Sequence, residues 1–138
     1  FVAAADEVVI VTTSEPTAIT DAYGIIKIIA TEVENYDLNL KMVVNRVNSA
    51  LEGKKIAERM IQIVAQFLNL KVEYLGFIYN DPAVEQAVLK QKPFFISAPK
   101  SKAASCLRHI VAKLEKTDYN EYSGLSGFLQ KLFGKKWE

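Results

Sequence analysis

The residues of this sequence that could contact a ligand lie in three short polar segments, each directly after an apolar run. They are residues 12–16 (Thr-Thr-Ser-Glu-Pro), 45–48 (Asn-Arg-Val-Asn) and 79–82 (Tyr-Asn-Asp-Pro). An asparagine amide offers both a donor and an acceptor, so it can pair with the edge of a purine base. Asn, Asp and Ser are also common in loops and helix caps, and position alone favours that structural role.

Machinery for phosphoryl transfer is not visible in the sequence. A P-loop needs a glycine-rich turn that ends in Gly-Lys-Ser or Gly-Lys-Thr. Gly53 is followed by Lys54, but Lys55 stands where Ser or Thr is needed, and there is no glycine-rich dinucleotide motif. We therefore assign no catalytic residue and no metal ligand to this chain.

Three further groups of polar residues give weaker signals. The single histidine, His109, and the single cysteine, Cys106, lie in a stretch with helical periodicity, which favours structural roles for both. One cysteine excludes a disulfide framework and suits a reducing cytosol. The third group is basic, and a solvated face is favoured for it over weak contact with phosphate. Its members are Lys90, Lys92, Lys100, Lys102 and Arg108.

Length and composition indicate one globular domain with a substantial core. The chain has 138 residues, of which 50% are hydrophobic and 24% charged, and its formal net charge is +1. A net charge this close to zero does not indicate a nucleic-acid partner. The sequence has no apolar run as long as the roughly 18 residues that a membrane-spanning helix needs, and no signal peptide is visible.

Apolar runs that do not alternate with polar residues are typical of strands buried on both faces, and here they alternate with helical periods. Strands are predicted at 8–13, 40–45 and 72–78, and an extended segment at 93–96. Helices are predicted at about 17–34, 53–68, 83–90 and 99–116. This order predicts an α/β fold with a parallel sheet flanked by helices. Three strands are few for such a sheet, and the chain begins with Phe1 rather than Met, so we expect a fragment of a longer protein.

The last residues form a separate segment with its own chemistry. Residues 1–117 are predicted as the domain, 118–124 as a polar linker and 125–138 as an amphipathic helix. On a helix, five apolar side chains fall on one face: Leu125, Phe128, Leu129, Leu132 and Phe133. Cationic and interfacial side chains accompany them: Lys131, Lys135, Lys136 and Trp137. We favour insertion into a membrane interface over packing against the domain or a partner.

Several segments together resemble the MinD/ParA-type ATPases, the deviant P-loop class. Residues 4–13 resemble the strand after the second switch region of that family, and residues 16–23 resemble the following helix start. Residues 43–46 (Val-Val-Asn-Arg) resemble the strand whose asparagine meets adenine. Residues 76–84 resemble the loop beside the base, with Tyr79 where the family has proline. Residues 93–94 and 99–104 resemble the final segment of the family before its last helix. Residues 127–133 resemble the membrane-targeting tail of MinD.

The resemblance implies the C-terminal half of a Rossmann-like P-loop ATPase, on the branch of the flagellar-number regulators of the FlhG (YlxH) type. It implies ATP and Mg²⁺ as cofactors of the intact protein, homodimerisation around nucleotide, and reversible binding to the inner face of the cell membrane from the cytoplasm. It places five residues beside the base: Asn45, Arg46, Tyr79, Asn80 and Asp81. The P-loop and both switch regions would precede Phe1, so we expect this chain alone to hydrolyse no ATP and to bind it poorly.

Two alternative functions stay open at this point. The chain could be a non-catalytic interaction module that anchors an unidentified partner to membrane, or part of a ParA-type DNA-partition ATPase. The amphipathic tail argues against the second, so nucleic acid is not an expected partner. A phosphoacceptor receiver domain is also α/β, but it needs paired acidic residues after its first strand, and residues 12–14 supply none.

Overall fold

The computed structural model describes residues 7–33 and 38–121 of the chain. Within them, strands and helices alternate as the sequence predicts. The elements are β1 (Glu7–Thr12), α1 (Pro16–Glu32), β2 (Asn39–Val47), α2 (Ala50–Leu68), β3 (Val72–Tyr79), α3 (Pro82–Leu89), α4 (Phe94–Ser97) and α5 (Lys102–Glu121).

The three strands form a parallel sheet in the order β1-β2-β3, so β2 is central in the described sheet. Leu40 of β2 pairs with Val8 on one side and with Val72 on the other. Parallel strands joined through helices are the expected result for unalternating apolar runs. The predicted α/β class and the parallel sheet are confirmed.

Helices cover the sheet on both faces, which explains why its strands are apolar without alternation. On one face, Met42 and Val44 of β2 pack with Ile26 of α1 and Met60 of α2 in the larger core. On the other face, Val43 packs in a smaller core with Leu75 of β3 and Ile110 of α5. A single strand thus sends successive side chains into two different cores.

The region around β1 is less completely covered by the described residues. Helix α5 packs on β3, and Val11 on β1 has 59% of its surface exposed. At the start of β1, Glu7 forms an ion pair with Lys41, whose side chain is buried in the sheet. Within the described residues β1 is an edge strand of the sheet, so the backbone groups on its outer side have no partner strand there.

Helix α2 begins three residues earlier than the periodicity predicts, because a capping arrangement fixes its first turn. The Ser49 hydroxyl accepts a hydrogen bond from the Glu52 backbone N–H at 3.1 Å, and the Glu52 carboxylate accepts one from the Asn48 N–H at 2.7 Å. Further along, Gly53 lets α2 approach β3, since a Cβ there would lie 3.0 Å from the Phe77 Cβ.

Two boundaries differ from the sequence prediction. Residues 93–96 are not extended: Phe94–Ser97 is a single helical turn, in which the Ala98 N–H donates to the Phe94 carbonyl at 2.8 Å. With no strand beside them, these backbone groups bond locally between two prolines. Helix α5 extends to Glu121, four residues into the predicted linker, where neither Gly nor Pro interrupts it before Gly124.

The predicted membrane-binding segment, residues 125–138, lies outside the described residues. Among the helices that the structure does describe, none is long and apolar enough to cross a bilayer.

Candidate functional site

A cleft of about 470 Å³ opens where β2 and β3 end and α3 begins. In a parallel α/β sheet, ligands bind outside the carboxyl ends of the strands, which is where this cleft lies. All five residues that the sequence places beside a base line it: Asn45, Arg46, Tyr79, Asn80 and Asp81. The structure therefore brings together the second and third polar segments, although they are separated by helix α2.

A bulge at the end of β2 shapes one wall of the cleft. The register with β3 shifts between Val44 and Val47, and Arg46 within that shift has a φ of 58°, in the left-handed region. Non-glycine residues adopt this conformation rarely, and often at functional sites. After the bulge, the Asn80 N–H donates to the Val47 carbonyl at 2.9 Å, which ties the two polar segments together.

The side-chain amide of Asn45 is held by its neighbour in this bulge. Its Oδ1 accepts a hydrogen bond from the Arg46 backbone N–H at 2.9 Å, and the side chain is half-buried. An amide oxygen has two lone pairs and the amide nitrogen has two N–H groups. The bond therefore fixes the orientation of the amide and leaves both a donor and an acceptor for a ligand.

A second wall, formed by α3, is mainly aliphatic, and the sequence analysis missed it. It consists of Val84, Val88 and Leu89 with the carboxylate of Glu85, and Val88 and Leu89 are 71% and 84% exposed. The spacing of Val84 and Val88, four residues apart on a helix, was the available signal. One polar edge facing an exposed aliphatic surface suits a flat heterocycle, whose ring face is apolar and whose edge hydrogen-bonds.

Asp81 lies at the cleft, but both of its carboxylate oxygens are engaged by helix N-termini. Oδ1 accepts from the Ala83 N–H of α3 at 2.9 Å, and Oδ2 accepts from the Ala103 N–H of α5 at 3.1 Å. Hydrogen bonds from these backbone groups, aided by the nearby charge of Lys102, lower the pKa of Asp81. The carboxylate thus joins the helix that walls the cleft to α5.

Replacing Asp81 by Ala should lower the free energy of unfolding by about 1–3 kcal/mol, because two helix N-termini lose a charged cap. The folded-state pKa is lowered, so this stabilisation is complete above the unfolded-chain pKa of about 3.9 and is lost as the pH falls through the folded value. Urea unfolding at a series of pH values measures this. The difference between parent and variant should shrink below about pH 4, and a difference independent of pH would contradict the assignment.

The remaining candidates do not join the cleft. In the first polar segment Thr12 is buried, and the Thr13 hydroxyl accepts from the Glu15 N–H at 3.3 Å within the turn before α1. His109 hydrogen-bonds through Nδ1 to the Ser105 carbonyl of its own helix at 2.8 Å, and Cys106 is buried. The described residues contain no group of three or more His, Cys, Asp and Glu side chains that could together hold a metal ion.

Comparison with known proteins gives a consistent family. The chain is 32% identical to the antiactivator FleN of Pseudomonas aeruginosa over 83% of its length, covering 40% of that protein. It is 35% identical to the flagellum site-determining protein YlxH of Helicobacter pylori, over 96% of the chain and 46% of the relative. It is also 30% identical to an uncharacterized ATP-binding protein of Methanocaldococcus jannaschii, over 98% of the chain and 50% of the relative. The chain thus spans about half the length of these relatives. No family model matches it.

A solved structure supports the same conclusion on the level of the fold. The cell division ATPase MinD of Pyrococcus furiosus superposes with a TM-score of 0.61 and 22% sequence identity, over 83% of this chain and 44% of that one. The structural match shows a shared fold, and one of the sequence relatives, YlxH, is described as a flagellum site-determining protein. Together the sequence and structural matches support a MinD/ParA-type, FlhG-like protein.

Proposed function

We propose that this chain forms the base-binding side of a MinD/ParA-type regulatory ATPase whose phosphate-binding loop is on a part of the protein that these 138 residues do not contain. The observation that carries the proposal is the cleft at the ends of β2 and β3, which is lined both by Asn45, whose amide oxygen is held by the Arg46 N–H, and by the aliphatic side chains of α3. The M. jannaschii relative is described as ATP-binding and the P. furiosus neighbour as an ATPase.

In this cleft the base would lie between the two walls. The side chains of Val88 and Leu89 would cover one ring face and gain the burial that they lack in the free protein. The Asn45 amide would pair with the base edge, with Arg46 and Asn80 on its rim. The chain offers neither a P-loop nor a described metal cluster, so the phosphates and Mg²⁺ would be bound by residues outside it.

The intact protein would use nucleotide to control where it is located. We propose that ATP drives homodimerisation and that the amphipathic residues 125–138 then attach the dimer reversibly to the inner, cytoplasmic face of an anionic membrane. The relative YlxH is described as flagellum site-determining and the relative FleN as an antiactivator, and these descriptions support a role in regulating flagella. The protein that receives this regulation would bind a surface other than the nucleotide cleft.

Asn45→Ala in the full-length protein should weaken Mg-ATP binding by about 1–3 kcal/mol, because a buried base edge loses its hydrogen-bonding partner. Isothermal titration with ATP and with GTP measures the affinity and the preference between bases. Asn48→Ala is the matched control, since it removes the same amide from a residue outside the cleft lining.

An Asn45→Ala variant that binds ATP and GTP as the parent does would leave Asn45 with a structural role only. The main alternative, a non-catalytic membrane-anchored module, predicts a natural protein without a P-loop. Intact-mass measurement of the protein purified from its native source distinguishes the two, because the ATPase requires a chain well above 15.4 kDa.

A further inference from the structure

A second surface lies beside the nucleotide cleft, on the segment that connects α3 to α5. Backbone hydrogen bonds fold this segment onto itself: the Lys92 N–H donates to the Ala87 carbonyl at 3.0 Å, and the Ser97 N–H to the Pro93 carbonyl at 3.0 Å. We call the exposed side chains gathered here the basic–apolar surface. They are Lys90, Lys92, Phe95, Ile96, Lys100 and Arg108.

The charge on this surface is of one sign. Residues 86–114 contain six Lys or Arg and no Asp or Glu. The carboxylates nearest in sequence are Asp81, which caps the two helices and lies near Lys102, Glu85 on α3 and Glu115 on α5. The ion pairs found in the described part of the chain, Glu7 with Lys41 and Lys54 with Glu58, lie elsewhere. A concentration of cations without internal carboxylates attracts an anionic ligand.

The apolar members of the surface are exposed, and one of them contacts the Arg108 guanidinium. Ile96 is 74% exposed and Phe95 is 41% exposed. The Arg108 guanidinium stacks over the Phe95 ring, with its Cζ 5.8 Å from the ring centroid, and its Nη1 donates to the Pro99 carbonyl at 2.8 Å. These two contacts fix the orientation of the guanidinium, and its remaining N–H groups suit the two oxygens of a carboxylate.

We propose that the basic–apolar surface binds an acidic amphipathic segment of a partner protein, with apolar side chains against Ile96 and Phe95 and carboxylates on Arg108 and the three lysines. A second copy of this chain is disfavoured, because the same surface would bring like charges together across a two-fold axis. A membrane is disfavoured, because Ile96 is the one large apolar side chain of this surface that Arg108 does not contact, and membrane binding scales with the apolar area that is inserted. The partner's carboxylates supply the charge that the surface lacks.

The test uses the full-length protein and a fluorescent synthetic helical peptide with leucines on one face and glutamates on the other. Fluorescence anisotropy measures its binding to the parent, to Ile96→Ser and to the double variant Lys90→Glu/Lys92→Glu. Phe67→Ser and Lys54→Glu are matched controls, because these side chains are 67% and 65% exposed on α2, away from the surface. Circular dichroism and Mg-ATP titration check that each variant is folded.

Binding of the peptide should weaken about tenfold or more in Ile96→Ser and in the double charge variant, and should stay unchanged in the two controls. A peptide with lysines in place of the glutamates should not bind. The proposal fails if the acidic peptide binds all variants equally or none of the proteins. It also fails if the surface variants instead lose binding to vesicles of phosphatidylcholine and phosphatidylglycerol while peptide binding is unaffected, since the surface would then be a membrane contact.

Discussion

Phe128→Glu or Leu132→Glu in the full-length protein should abolish ATP-dependent flotation with anionic vesicles. Both residues belong to the apolar face of the predicted amphipathic segment, which lies outside the described residues. A glutamate there removes an inserted apolar side chain and places a charge in the membrane interface. Flotation of parent and variants on vesicles of phosphatidylcholine and phosphatidylglycerol, with ATP and with ADP, measures the effect.

The expected loss of flotation is large because membrane binding should require the amphipathic segments of both chains in a dimer. Each large apolar side chain contributes about 1.5–3 kcal/mol when fully buried, and each Lys close to anionic lipid about 1 kcal/mol. Ordering the helix opposes this by about 1–2 kcal/mol for each residue fixed. A single segment should therefore bind the membrane weakly, whereas the two segments of a dimer would gain about 10²–10⁴-fold in affinity through effective concentration. A substitution changes the segment in both chains, so its effect on flotation should be larger than the loss of one side chain alone.

Gln130→Glu is the matched control, because it adds the same charge to the polar side of the same segment. It should float nearly as the parent does, and truncation before Gly124 should not float. If the parent, the apolar-face variants and the truncation all float alike with ATP, the segment packs against protein and the membrane proposal is wrong.

The parallel sheet was predictable because strands that are buried on both faces are apolar at successive positions. Strand β2 is apolar from Leu40 to Val44 apart from Lys41, since Met42 and Val43 enter different cores. Such a run excludes an antiparallel sheet with one face in water. The exception, Lys41, could not be recognised as buried, because its partner Glu7 is adjacent only after β1 and β2 have paired.

The polar residues of the cleft at the ends of β2 and β3 were predictable, but the wall formed by α3 and the geometry of the cleft were not. Polar residues after two buried strands indicate a site at the sheet edge, and Asn45 and Asn80 do lie in one cleft. The left-handed Arg46 gives no sequence signal, because conformation there is imposed by the register shift between β2 and β3. The same limit applies to Asp81, whose bond to Ala103 spans 22 residues and depends on how α5 docks.

The prediction of an extended segment was wrong at the short helix α4, because it relied on local composition alone. Phe94, Phe95 and Ile96 favour a strand by propensity. A strand needs a neighbour to satisfy its backbone groups, and these residues instead bond within one turn, with Phe95 under Arg108. Strand propensity measures which backbone conformations a side chain tolerates, whereas tertiary packing determines which secondary structure the segment adopts.

The 138-residue chain by itself should bind Mg-ATP no more tightly than the millimolar range, about −4 kcal/mol, and should not hydrolyse it. In the proposed binding mode the cleft would contact only the base, and the sequence contains no P-loop to neutralise the triphosphate. Isothermal titration measures the affinity, release of inorganic phosphate measures turnover, and circular dichroism verifies that the chain is folded during both.

Adenosine carries the base without the phosphates, so comparing its affinity with that of Mg-ATP distinguishes binding of the base from binding of the phosphates. For the chain alone, adenosine and Mg-ATP should bind with equal weakness, because both present the same base to Asn45 and the apolar wall of α3. For the full-length protein, Mg-ATP should bind far more tightly than adenosine, since binding of the phosphates then dominates. Micromolar binding of Mg-ATP with turnover by the chain alone would contradict this division, because the phosphates would then be held by residues within these 138.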